Sequence, residues 1–92
     1  MRESKIEAHL RRRAENAGGK CWKFTSPGLI GPPDRILMLP GGRLWWIEFK
    51  SPGNKPNAPQ ARRHSELWKL GQKVLVLDSI KAVDQFMDGV CK

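Results

Sequence analysis

The sequence predicts an α/β domain: a mixed sheet, made of a three-stranded antiparallel meander plus one strand after a crossover helix, flanked by helices. Three observations lead there. Apolar residues recur at helical spacing near both ends, at Ile6, Leu10, Ala14 and Ala17, and again at Ile80, Val83, Phe86 or Met87, and Val90. Between them lie two apolar runs of strand length, 35–39 and 43–50, separated by Pro40-Gly41-Gly42. A third run, 73–77, follows a helical stretch, and a right-handed crossover would lay it parallel to the strand before that helix. The 92 residues make one small domain, 1–92, with a modest core.

Taken in order, residues 3–17 read as the first helix, stopped by Gly18-Gly19. Arg11, Arg12 and Arg13 cover its outer side, while Glu7 sits at the edge of the apolar stripe, facing the seam with the sheet. An ion pair with Arg11, one turn on, is the plain role for Glu7. Residues 21–25 form a short strand in which Trp22 and Phe24 alternate with Cys21, Lys23 and Thr25. Ser26 to Pro33 is a loop rich in Pro and Gly, where Leu29 and Ile30 serve ordinary loop packing. Trp45 and Trp46 place one indole on each side of the sheet, as core residues of both faces. Residues 51–56 are a turn carrying Lys55. Asn57 is the expected N-cap of a helix that runs to Leu70 and stops at Gly71, with Gln60 placed to complete a capping box and His64 on the helix surface. The run 73–77 is apolar without strict alternation, as in a strand covered on both sides. Asp78-Ser79 then cap the last helix.

The chemistry gathers at the hairpin. Alternation puts Leu44, Trp46, Glu48 and Lys50 on one face of the second strand, with Glu48 and Lys50 about 7 Å apart. Pro40 lacks an N–H and fits poorly in a ladder, so Pro40-Gly41-Gly42 reads as a three-residue loop with Leu39 opposite Arg43. Counting back along both arms sets Asp34 opposite Glu48, with Cβ atoms about 5 Å apart. A two-residue Gly41-Gly42 turn would instead slip the register and turn Asp34 to the other face. Two such carboxylates repel each other, and a divalent cation removes the conflict. Mg²⁺ takes oxygen ligands at about 2.1 Å, commonly one or two carboxylates with waters and a substrate phosphate. A neighbouring ammonium can hold or deprotonate an attacking water, or stabilise charge on a phosphate. These are the parts needed for phosphodiester hydrolysis.

The order Pro33-Asp34, strand, Glu48-Phe49-Lys50 resembles the PD-(D/E)xK nuclease superfamily. The surrounding residues resemble its VRR-Nuc branch: Gly31, Pro33-Asp34-Arg35, Gly42-Arg43, Ile47 to Lys50, Gly53, Lys55-Pro56, Gln60, and Val74, Val76, Asp78-Ser79. The match covers about Cys21 to Ser79. This resemblance implies a restriction-endonuclease-like core and a Mg²⁺- or Mn²⁺-dependent endodeoxyribonuclease. It implies Asp34, Glu48, the Phe49 carbonyl and Glu7 as metal ligands, and Lys50 and Gln60 as catalytic-site residues. Small stand-alone VRR-Nuc proteins resemble resolvases of branched DNA such as the Holliday junction, which suits a two-fold homodimer. With no appended DNA-targeting domain, a stand-alone phage or bacterial nuclease is expected.

Lys and Arg outnumber Asp and Glu 17 to 9, a net charge of +8, which points to a polyanionic partner and away from acidic-surface roles. Arg11, Arg35, Lys55, Arg62 and Arg63 are the candidate DNA contacts, and Lys69 lies on the same helix as the last two. A basic nucleic-acid-binding protein without catalysis explains the charge equally well, but not two acids meeting beside a lysine. A partner-binding or ribosome-associated module predicts no metal dependence. Cys21 and Cys91 have no metal-type spacing and are expected as free thiols. With neither a signal peptide nor a membrane-spanning run, the expected place is the cytoplasm of a bacterial or phage-infected cell, with no membrane partner.

Overall fold

Alternation along one strand divides the molecule into two unlike faces. The computed structural model describes residues 3–91. Its elements are α1 (Glu3–Asn16), β1 (Lys20–Lys23), β2 (Arg35–Leu39), β3 (Arg43–Phe49), α2 (Ala58–Lys69), β4 (Val74–Leu77) and α3 (Ile80–Val90). The four strands lie in the order β1-β2-β3-β4, the first three antiparallel and β4 parallel to β3. That is the predicted meander with a crossover strand.

On one face Trp45, Ile47 and Phe49 of β3 join Leu37 and Leu39 of β2, Cys21 and Leu77. Ile6, Leu10 and Ala14 of α1 and Val83 and Met87 of α3 close over them, all buried. Burying side chains of this size is worth about 1.5–3 kcal/mol each, so this face is the main source of stability. At its rim Trp45 meets Phe86 edge-on at 5.3 Å, and the Lys73 ammonium sits 4.1 Å from the Trp45 ring. α1 and α3 are also tied by ions: Arg13 bridges Asp84 and Asp88, and His9 meets Asp84 at 2.7 Å.

The hairpin has the three-residue loop. Leu39 pairs with Arg43 and Arg35 with Ile47. Gly41 and Gly42 both adopt positive φ, which lets the chain reverse there. Arg43 fastens the corner, donating to the Pro40 and Val90 carbonyls.

Three expectations shift. β1 starts a residue early, with Lys20 paired to Met38, because the chain turns into the sheet directly after Gly19. A Cβ on Gly19 would lie 2.2 Å from the Met38 carbonyl oxygen, so that approach requires glycine. Of Asp78-Ser79, Ser79 is the cap: its Oγ accepts the Ala82 N–H at 3.0 Å. Finally, β4 is not covered on both sides, since Val76 is 39% exposed on the α2 face. The reason lies in α2. His64 is its only fully buried residue and meets Glu48 on β3. Leu67 and Leu70 line a groove with Phe24, Pro33 and Trp46, and Trp68 is exposed, so the helix leaves Val76 partly open.

Candidate active site

Asp34 enters the sheet from the loop that precedes β2. Its N–H donates to the Ile47 carbonyl at 3.0 Å, and its own carbonyl accepts the Phe24 N–H at 2.8 Å. It therefore continues the ladder by one residue and faces Glu48. The side chain is tied as well, its Oδ2 accepting the Phe49 N–H at 3.2 Å. The loop itself is pinned to the start of α2. Gly31 has φ +89°, and a Cβ there would lie 2.7 Å from the Pro59 carbonyl. Positive φ and lack of space thus both demand glycine at 31.

Asp34 and Glu48 sit in opposite environments. Asp34 is exposed, whereas Glu48 is 1% exposed. Burial first, and then the Asp34 carboxylate, push the Glu48 carboxyl up to about 8, and the Lys50 ammonium only partly offsets them. Gln60 donates to Glu48 Oε2 at 3.3 Å. The same side chain accepts the Asn57 N–H at 3.0 Å, and Asn57 Oδ1 accepts the Gln60 N–H at 2.9 Å. One rotamer of Gln60 thus completes the capping box and reaches Glu48.

Glu48 Oε1 is buried without a hydrogen-bond partner, a state that costs roughly 1–3 kcal/mol for a polar group and more for a charged one. His64 Nε2, itself unpartnered, lies 3.5 Å from it. Burial, followed by the Lys50 charge, holds the His64 imidazole below its ordinary range and hence neutral. His64 is therefore not the surface residue that helix periodicity suggests. Only its spacing betrays it: it lies four residues after Gln60, on the same stripe of α2, and both aim at Glu48.

Other expected residues are distributed less tightly. Glu7 pairs with Arg35 rather than Arg11, because both face the α1 side of the sheet. The pair lines a cleft of about 310 Å³ with Glu3, Lys23, Phe24, Thr25, Asp34 and Phe49, so Glu7 shares a mouth with Asp34 but is held by an arginine. Among the described residues, no group of three or more His, Cys, Asp or Glu side chains forms a metal cluster. A divalent ion at the Asp34–Glu48 pair would draw its remaining ligands from backbone oxygen, water and phosphate, as Mg²⁺ commonly does. The buried, unpartnered Oε1 and the unrelieved repulsion between the two acids fit such an ion. Arg63 is engaged by Glu66 and by the Ile30 carbonyl at 3.0 Å. Arg11, Lys55 and Arg62 are exposed and make no ion pair among the described residues.

No protein-family model matches the sequence. A phage protein named "Putative nuclease p44", from Acyrthosiphon pisum secondary endosymbiont phage 1, is 47% identical over 79 residues, which are 86% of this chain and 85% of that protein. A solved structure described as a VRR_NUC domain superposes with a TM-score of 0.89 at 33% identity, covering 94% of each chain. The chain belongs to the VRR-Nuc family. In this VRR-Nuc domain the sheet order, the Asp34–Glu48 register and the cap on α2 bring the two acids, Gln60 and His64 to one end of β3. The family is one of nuclease domains, and no helix among the described residues is long and apolar enough to cross a membrane.

Proposed function

We propose that the domain is a divalent-metal-dependent DNA endonuclease that hydrolyses phosphodiester bonds, with Mg²⁺ or Mn²⁺ held by Asp34, Glu48 and the Phe49 carbonyl. The supporting observation is the facing pair of carboxylates, one exposed and one buried with an unpartnered oxygen. Bound there, the cation would supply Lewis-acid polarisation of a phosphate oxygen. The protein's own residues do the rest. Asp34, fixed through the Phe49 N–H, is exposed and lines the open cleft. Gln60 holds Glu48 from the α2 side. Lys50, in the electrostatic reach of Glu48, positions the attacking water, takes up its proton or steadies charge on the scissile phosphate. Glu7 closes the α1 side of the cleft and is an auxiliary ligand once Arg35 turns toward DNA.

Charge and family together support DNA as substrate, read through phosphates by Arg11, Arg35, Lys55, Arg62 and Arg63. The preference we propose is branched DNA, such as a four-way junction. Its two strands are cut by the two sites of a homodimer in the cytoplasm of a bacterial or phage-infected cell. The support for this finer reading is the resemblance of the sequence motifs between Gly31 and Ser79 to small stand-alone VRR-Nuc proteins.

A cleavage panel of labelled junction, flap and duplex DNA, with and without Mn²⁺, tests it. Junction is expected to be cut first, and only with metal. Asp34→Asn and Lys50→Ala are each expected to lower cleavage by about 100-fold or more while DNA binding persists. Undiminished cutting by both variants would overturn this site, and a wild-type protein that binds DNA but cuts no form of it would leave the non-catalytic reading in its place.

A further inference from the structure

α2 is an unusual helix for so small a protein. It carries exposed Trp68 and Leu70, yet the one side chain it buries is an imidazole. An amphipathic helix is ordinarily seated by apolar residues. Here the inward-facing pair is Gln60 and His64, one turn apart, and each meets a different oxygen of the same carboxylate. Gln60 Nε2 lies 3.3 Å from Glu48 Oε2, and His64 Nε2 lies 3.5 Å from Glu48 Oε1. Oε1 and Nε2 are both buried and unpartnered. A neutral imidazole with its proton on Nε2 would donate to one lone pair of Oε1 after a closure of a few tenths of an ångström and leave the other for a cation.

We propose that His64 is a positioning residue that, with Gln60, clamps the Glu48 carboxylate in the orientation that binds the catalytic cation. This rests on the metal-dependent reading above. The clamp works on the ionised carboxylate, because an Nε2–H donor stabilises the charged form that a cation needs and orients its lone pairs. His64 does not touch substrate, so its loss acts through metal affinity and not through the chemical step.

Mn²⁺ affinity of the apo-protein, measured by calorimetry, reads this directly. His64→Leu keeps the burial and removes the donor, whereas His64→Gln restores an N–H of similar reach. The leucine variant is expected to bind Mn²⁺ about 10- to 100-fold more weakly. Its half-maximal Mn²⁺ concentration for cleavage should rise in parallel, while the rate at saturating Mn²⁺ stays close to wild type. The glutamine variant is expected to recover most of the affinity. A second measurement needs no variant: the imidazole ¹⁵N resonances of the wild-type protein should show Nε2 protonated and should shift on adding Mg²⁺. Wild-type Mn²⁺ affinity in folded His64→Leu overturns the clamp and leaves the metal-dependent reading intact, as does an unprotonated Nε2 in the Mg²⁺-bound protein. A wild-type protein that binds no Mn²⁺ overturns both.

Discussion

Glu48 couples the stability of the metal-free protein to pH in a direction that separates a proton from a cation at the same oxygen. Its carboxyl is raised from about 4.5 to about 8 by burial and by Asp34, so the stabilising proton is fully present below 4.5 and is lost as pH rises through 8. Between those limits the folded state holds a proton that the unfolded chain has released, and stability falls with pH. His64 works the other way. Its folded value is lowered, so stability rises with pH until the unfolded imidazole is neutral, near 6.5. The Glu48 effect is therefore unopposed by His64 between about pH 7 and pH 8, with a slope of at most about 1.4 kcal/mol per pH unit. The buried Cys21 thiol, raised to about 11, adds its own fall only nearer pH 9. In EDTA the melting temperature should decline between about pH 7 and pH 8. Mg²⁺ or Mn²⁺ should flatten that decline by replacing the proton, so its stabilisation should grow over the same interval. An EDTA melting temperature that climbs steadily across the interval would mean that Glu48 is already ionised in the empty fold. Asp84 does not confuse the reading. His9 and then Arg13 hold it below the usual carboxylate range, so its contribution is lost only as pH falls.

At the scale of elements, the two ends of the candidate cleft depend on backbone conformations that single substitutions disturb separately. Asn57→Ala removes the cap of α2 and should cost about 1 kcal/mol, a drop of roughly 4–8 °C in melting temperature, with modest loss of cleavage. Gln60→Ala should add a weaker Mn²⁺ affinity to the lost cap, because the same amide holds Glu48. Gly31→Ala should be worse than either for folding. It forces both a left-handed residue and a backbone shift at Pro59, just where the Asp34 loop leans on α2. Equal melting curves for Gly31→Ala and wild type would show that the loop is not pinned there. These elements also mark what is legible in the sequence. The hairpin register follows from Pro40 and two glycines, because turn chemistry is local, and the register alone sets Asp34 opposite Glu48. The capping box is equally local. His64 is not legible as a buried residue, since periodicity weighs apolar side chains and the one fully buried residue of α2 is polar. Glu7 with Arg35 is a contact across 28 positions that only the packing of α1 on the sheet creates.

For the molecule as a whole, a charge of +8 is not one uniform field, because several cations are already committed. Arg13 is held by Asp84 and Asp88, Arg43 by two carbonyls, and Arg63 by Glu66 and the Ile30 carbonyl. The exposed cations Arg11, Lys55 and Arg62 lie on α1, on the turn after β3, and on α2. α1 covers one face of the sheet and α2 is seated at the other. On the reading proposed above, DNA that meets both Arg11 and Arg62 would reach from one face of the sheet to the other, with the scissile phosphate at the exposed Asp34. Each phosphate contact releases condensed counterions, so affinity should fall steeply and linearly on a logarithmic salt axis. Arg11→Ala, Lys55→Ala and Arg62→Ala should each weaken binding and reduce the salt slope by about 1. Arg13→Ala should lower the melting temperature and leave the slope alone, because its charge is spent between α1 and α3. Titrating Asp34→Asn protein, in which cleavage is expected to be lost, against labelled DNA at several salt concentrations measures all four. A slope that responds to Arg13 and not to the other three would move the DNA to the α1–α3 face, away from the paired acids, and would break the link between the basic surface and the cutting site.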